Sequence, residues 1–432
     1  MVHRSRRSFL QGAALGFTMV GTGCLSDSGT EPVSTTEQDT PTPTDTVTPT
    51  DTESTPGYST VDERVKKEPP GSPPLDPSGA WPAVRFDAGN TGWNPDGAGL
   101  RDGESYWRLR PCGAASVANE YLYNTADLEE DTVSLAYRNP ATAAVETASD
   151  LVSYGVNSPP VVTDDYVFIT TFIEVFCFDA ETGQQVWRGP AMDGIQSQPT
   201  VLGDRVVVNS AGFQAIDPHI RAFDTATGDE LWRYDTGHFS DSTPAVDDGQ
   251  VYVSSEGGFH AVDLETGQES FVNRDLAARR STPVADAGTV FAVSEGQSGR
   301  DDELVAMEAS TGSKHWRVAI ADEHTPVVTD SAVYAFVDAG VAELDRTDGS
   351  VRITSETQAE PVGLVGDVLY AERGGRLYAL NTMNELEELW SLTTEEVQVS
   401  DTVGRTIYHV TPVDDAVYVS ARDAFYGIGP AE

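Results

Sequence analysis

The sequence predicts an all-β protein made by repeating one small antiparallel sheet, and three observations carry that prediction. A Pro that opens an apolar segment recurs about every 40 residues, at Pro160, Pro199, Pro244, Pro283, Pro326, Pro361 and Pro412. A turn of the form acid, three residues, Gly follows it in five copies: Asp179 to Gly183, Asp224 to Gly228, Asp263 to Gly267, Glu308 to Gly312 and Asp345 to Gly349. A large ring then stands four residues beyond that Gly at Trp187, Trp232, Phe271 and Trp316. A unit of short strands and turns cannot bury a face alone, so its copies must stack radially or linearly.

Each element has a local reason. Seven residues after the first five prolines stand Val167, Val206, Val251, Val290 and Val333, each opening an apolar run that reads as a largely buried strand. The spacing between prolines varies while the strand pattern does not, which assigns the insertions to loops. In the turn, the acid bonds the backbone two residues on and Gly accepts positive φ, the chemistry of a bulged hairpin. Trp107, Trp187, Trp232, Trp316 and Trp390 recur on the outer strand, so they read as wedges between neighbouring sheets.

These residues match the pattern Ala-x-Asp-x-x-x-Gly-x-x-x-Trp, and from Trp81 onward the chain resembles the eight-bladed propellers of quinoprotein-type (PQQ-like) repeats. It is most similar to their non-enzymatic branch, that of the outer-membrane assembly lipoprotein BamB, and to repeat proteins exported by haloarchaea. The resemblance implies an eight-bladed β-propeller of four-stranded antiparallel blades. Second strands beginning near Tyr121, Val167, Val206, Val251, Val290, Val333, Val368 and Val417 agree with eight blades. The last copy ends without a Trp strand, and an orphan strand holding Trp107 precedes the first, so the N-terminal strand is expected to complete the C-terminal blade. The first blade is the most degenerate, since its turn around Asn139 lacks both Gly and Trp.

Three regions divide the chain. Residues 1–24 read as a twin-arginine export signal, with Arg6 and Arg7 before an apolar run too short to span a bilayer, and a lipobox-like end at Cys24. Cys24 is the expected lipidation site, which places the protein on the outer face of the cytoplasmic membrane. Gly21 stands where Leu or Val is usual, so simple cleavage and an uncleaved anchor are the alternatives. Residues 25–78 are an acidic Thr, Pro and Ser-rich stretch with too little apolar surface to offset chain entropy, hence a disordered stalk. Residues 79–432 form the propeller.

Charge narrows the partners. With 69 acidic against 27 basic residues the formal charge is −42, and Lys66, Lys67 and Lys314 are the only lysines. Self-repulsion of this size calls for concentrated salt, where screening acts within about 3 Å. No basic stripe exists to neutralise phosphates, which argues against nucleic acid. Cys177 occupies the place of Ala222, Ala261, Ala306 and Ala379 in other copies and reads as a small buried residue; Cys112 lies near the first strand of blade 1.

The chain carries no nucleophile elbow, zincin, Cys-x-x-Cys, phosphate-loop or EF-hand pattern, so no catalytic and no metal-binding residues are assigned. Acidic turns at 127–131 and 295–303 read as solvated hairpin tips. Three residues before each Pro stand Asn157, Gln196, Asp241, Arg280, Glu323, Gln358 and His409, polar in every copy. If this segment is the innermost strand, as the resemblance implies, a period of two puts them with Gln198, Thr243, Thr282, Thr325, Glu360 and Thr411 on one face toward a central channel. That face reads as a solvated lining or as a site for a small polar molecule or cation at Asn157, Gln196, Asp241, Arg280, Glu323, Glu360 and His409.

Two functions follow from the resemblance. One is a lipid-anchored, monomeric binding scaffold without cofactor that engages envelope proteins or surface polymers through its rim loops. The other is a quinoprotein dehydrogenase using pyrroloquinoline quinone (PQQ) and calcium, which needs a Glu and an Asn for calcium, an Asp base and a Trp floor. The wedge positions of the Trp residues and the absence of adjacent cysteines favour the scaffold. Circular dichroism across a salt titration tests the charge reading: the β spectrum is expected to be lost on dialysis to low salt, and a spectrum indifferent to salt contradicts it.

Overall fold

The computed structural model describes residue 75 and residues 77–431, apart from 130–131, 152–157, 191, 193, 196, 213–217, 279–280, 297–300 and 400–401. The export signal, Cys24 and nearly all of the stalk lie outside the described residues. Every regular element described is a β-strand. The strands form eight antiparallel four-stranded blades, the propeller that the repeat predicts; a short hairpin, Val397–Val399 with Thr402–Gly404, stands between blades 7 and 8.

Blades 1 to 7 follow in chain order. Their first strands are Ala115–Ala118, Val161–Val162, Thr200–Leu202, Ala245–Asp247, Val284–Asp286, Val327–Val328 and Glu360–Val365. The second strands open at Tyr121, Tyr166, Arg205, Gln250, Thr289, Ala332, Val368 and Val417, within one residue of the positions read from the apolar runs. Val206, Val207 and Val208 are all fully buried, because a neighbouring blade covers each face of the sheet.

The turn between third and fourth strands forms as its residues dictate. In blade 2 Gly183 N–H donates to the Asp179 carbonyl at 2.9 Å, and Thr182 N–H donates to the Asp179 carboxylate at 2.7 Å. Gly183 takes φ 69° there, and the register slips by one residue just beyond it. Blade 1 performs the same turn with Ala143 at φ 57°, which explains why its sequence looked degenerate.

The turn Gly has a second role. A Cβ on Gly228 would lie 2.6 Å from the Trp187 indole, and one on Gly267 2.6 Å from that of Trp232. The indole of one blade thus rests on the turn Gly of the next. Its Nε1–H donates to the carbonyl just after the turn acid: Trp187 to Thr225 at 2.8 Å, Trp232 to Leu264 at 2.7 Å, Trp316 to Arg346 at 2.9 Å. Acid, Gly and Trp are therefore one joint, repeated around the rim.

The ring closes as expected. Gly103–Leu109 pairs with Phe425–Pro430 as the fourth strand of blade 8, and Trp107 lies opposite Gly427. Trp107 Nε1–H then donates to Ala141 O in blade 1, while Thr411 Oγ1–H donates to Ala115 O at 2.8 Å. Cys177 is fully buried, and neither Cys112 nor Cys177 is in a disulfide.

One element has no counterpart in the repeat. Leu75, which the composition places in the stalk, is buried beside Tyr106 at the end of blade 8, so packing begins before residue 79. Residues 78–94 then make a full circuit of the hub. Asp414 N–H of blade 8 donates to Ser78 O, Trp81 bridges Val117 of blade 1, and Val162 N–H of blade 2 donates to Pro82 O. Val84 N–H donates to the Gln198 side chain beside blade 3. Val246, Ala285, Val328 and Leu364 of blades 4 to 7 donate in turn to Ala88, Gly89, Thr91 and Gly92. Trp93–Asn94 finally joins blade 7 as a parallel fifth strand. With each buried bond worth about 1 kcal/mol net, this strap ties every blade to the same segment.

Candidate functional site

The strap decides which end of the hub is open. It touches the turn between the first two strands of blade 8 through Ser78 Oγ, which donates to Asp415 at 3.0 Å, so it covers the face carrying those turns. The opposite face carries the interblade loops and the turns between second and third strands. There the hub opens into a cavity of about 310 Å³. Val84 and Arg85 of the strap line it together with Gln198, Thr243, Thr282, Thr325, Glu360 and His409.

The residue immediately before each Pro thus faces the hub in blades 3 to 7, as the repeat suggests, and Glu360 and His409 of the proposed set are among the lining. Asp241 and Glu323 are not. The reason is that the first strands of blades 3 to 6 begin only after their Pro, so the residues ahead of it follow a loop path and the period of two does not reach back to them. In blade 8 the strand Ile407–Pro412 already includes His409, which explains why that position keeps the predicted direction. Asn157, Gln196 and Arg280 lie outside the described residues. Thr411 turns away to the carbonyl of Ala115.

Sequence reasoning missed Arg85, Ser197 and Glu372. Arg85 is 8 % exposed, and its guanidinium donates to Pro326 O, to Val362 O at 3.2 Å and to Asn90 O at 3.4 Å. Burial brings its pKa down to about 10. Two of its carbonyl partners, Pro326 and Val362, come from distant parts of the chain, so no spacing rule connects them to it. Asn90, fully buried, donates to Pro244 O and Pro283 O and serves as a second rivet.

On the blade 7 wall, Glu360 faces Glu372 across the sheet. Arg373 lies 3.6 Å from Glu360 and 3.6 Å from Asp322, with its guanidinium over the Phe336 ring. Burial first, and then the Glu360 charge, push the Glu372 carboxyl up to about 7. Glu360 is also raised, by burial and then by Asp322. His324 is fixed as a neutral ring: its Nε2 accepts from Phe336 N–H at 2.9 Å, which leaves Nδ1–H to donate to Asp322 O. Elsewhere His260 is enclosed by Ser255 Oγ and Tyr234 OH, a packed network with the Ser fully buried.

Comparison with known proteins agrees with this geometry. The family model described as Outer membrane protein assembly factor BamB matches residues 98–355 and 270–425. The chain belongs to that family. Among solved structures, BamB from Moraxella catarrhalis is 16% identical at a TM-score of 0.59, covering 76% of this chain and 100% of its own. A europium-containing methanol dehydrogenase is 13% identical (TM-score 0.57; 79% of this chain, 89% of its own), and quinohemoprotein alcohol dehydrogenase from Comamonas testosteroni 12% (TM-score 0.56; 82% and 81%). Among curated proteins none matches. At these identities the solved structures speak for the fold, which scaffolds and enzymes of this repeat share.

The residues of this BamB-family hub do not fit quinone and calcium. Among the described residues Glu360 is the one carboxylate lining the cavity, it is engaged with Arg373, and no group of three metal-ligating side chains converges. The five wedge indoles all lie at the rim, with Trp390 Nε1–H donating to Leu100 O at 2.7 Å like its counterparts. None forms a floor to the cavity.

The pH response follows from these groups. Burial brings His260, His324 and His409 from 6.5 down to about 4, so the unfolded chain takes up protons first and stability falls as pH drops through that window. Glu372 works in the opposite sense, because its carboxyl is raised from 4.5 to about 7 and the folded state gains stability as pH falls between them. Glu372→Gln is therefore expected to be more stable than wild type at pH 8 and to lose that advantage by about pH 4.5. Denaturant unfolding at several pH values in molar salt checks this; an advantage independent of pH contradicts it.

Proposed function

We propose that this BamB-family propeller is an exported, lipid-anchored, monomeric binding scaffold that holds envelope proteins or surface polymers at the face opposite its strap. The observation that carries the reading is directional. The chain enters the propeller at Leu75 and Ser78 on the closed face, so a tether running back to Cys24 leaves from that side. The open face, with its loops and cavity, then points away from the anchor. It also presents apolar side chains where blade 7 leads into blade 8: Val403, in the short hairpin, is 61% exposed, and Tyr408, near the start of the first strand of blade 8, 43%. Exposed aromatic and aliphatic groups among acidic neighbours are the composition of a contact surface.

The dehydrogenase reading requires a carboxylate and amide set for calcium and an indole floor, and among the described residues the cavity lining holds one carboxylate and no indole, which supports binding over redox chemistry. Crosslinking in native membranes at molar salt tests the scaffold. Val403→Asp with Tyr408→Ser on the open face is expected to abolish partner adducts, and Met383→Asp, 81% exposed in a turn of the closed face, to leave them unchanged. Equal loss from both faces contradicts the reading, as does robust dye reduction by the purified protein supplied with PQQ, calcium and an alcohol or sugar.

A further inference from the structure

Arg85 is a buried cation whose surroundings leave its charge only partly answered. No carboxylate lies within 4.0 Å of it among the described residues; the nearby Asp87 instead accepts from Thr91 N–H and Oγ1–H. A guanidinium carries five N–H donors. The three carbonyls take one each from Nε, Nη1 and Nη2, which leaves one hydrogen on each Nη. A cation removed from water costs several kcal/mol unless paired and fully hydrogen-bonded. Riveting the strap accounts for the three bonds and not for the remaining two donors at the floor of a cavity.

The walls add an independent sign. Ser197 lines the same cavity at 4% exposure, and its Oγ has no hydrogen-bond partner. Thr243, Thr282 and Thr325 present further hydroxyls, and the Glu360 charge is turned toward Arg373. In a chain of formal charge −42, the hub is thus a pocket with a cation at its base and hydroxyls around it. Its volume of about 310 Å³ lies at the small end of ligand pockets.

We propose that the hub cavity binds a small hydroxylated carboxylate, its carboxylate on the two remaining Nη hydrogens of Arg85 and its hydroxyls on Ser197, Thr282 and Thr325. A planar monoanion suits a guanidinium that keeps one hydrogen on each Nη. A phosphate dianion suits it less, since Arg373, the other guanidinium on this wall, is engaged by Glu360 and Asp322. This site is separate from the interblade surface formed by Val403 and Tyr408, and either can fail without the other.

The probe is D-gluconate, with neutral D-glucitol as its comparison, titrated calorimetrically into the wild-type chain in molar KCl so that chloride competes in every arm. Gluconate is expected to bind one per chain, at least about tenfold tighter than glucitol. Arg85→Gln is expected to cut the preference for gluconate over glucitol by about tenfold, whatever loosening of the strap does to both probes alike. Because Arg85 also rivets the strap, Thr282→Val with Thr325→Val supplies a second arm that leaves every strap bond in place; it is expected to weaken both probes by about fivefold. Equal affinity for the two probes, no gluconate binding to folded wild type, or undiminished binding by the double Thr variant overturns the proposal.

Discussion

The structure depends on one segment of backbone. A propeller blade packs only against its two neighbours, so nothing in the blades themselves holds them at the axis. Residues 78–94 supply that constraint by offering a partner to each blade in turn. Most of the donors are the amides two residues beyond the repeat Pro: Val162, Val246, Ala285, Val328 and Asp414. Pro cannot donate, so the amide just inside it is the one available to an axial acceptor. Arg85 and Asn90 add side-chain bonds to the carbonyls of Pro326, Pro244 and Pro283 themselves.

The rim is held by different chemistry, and there the repeat is self-explanatory. A turn Gly is required twice over, by its positive φ and by the indole that rests on it from the preceding blade. Where the ring is Phe271 instead of Trp, the following Gly312 is still in contact, with a Cβ position 2.5 Å from that ring. The indole hydrogen bond is lost in that copy and the packing is kept. Strap and rim are thus separable: one sets the axis, the other the angle between blades.

This difference explains what could be read from the chain. Strand starts, turn acids, wedge rings, the burial of Cys177 and closure through Trp107 were legible because each is written in side chains at fixed spacing. The strap was not, because its bonds run through main-chain carbonyls that every residue carries. The hub lining was half legible. Gln198, Thr243, Thr282, Thr325 and Glu360 were placed correctly, whereas Asp241 and Glu323 were drawn in by extending a strand period into a loop. The Glu360 and Glu372 pair was legible only once the register of blade 7 was known.

Function inherits this arrangement. The strap closes one face, brings in the chain from the N-terminal side and contributes the floor of the cavity, so the tie between the blades and the cavity floor share the same residues. Amide hydrogen exchange tests that claim most directly, through the protection of Val162, Val246, Ala285, Val328 and Leu364 in wild type and in Arg85→Ala. The account predicts that all five are among the most protected amides and that all five lose protection together in the variant, because one strap holds them. Loss confined to Val328 and Leu364, the amides nearest the carbonyls that Arg85 binds, would contradict it.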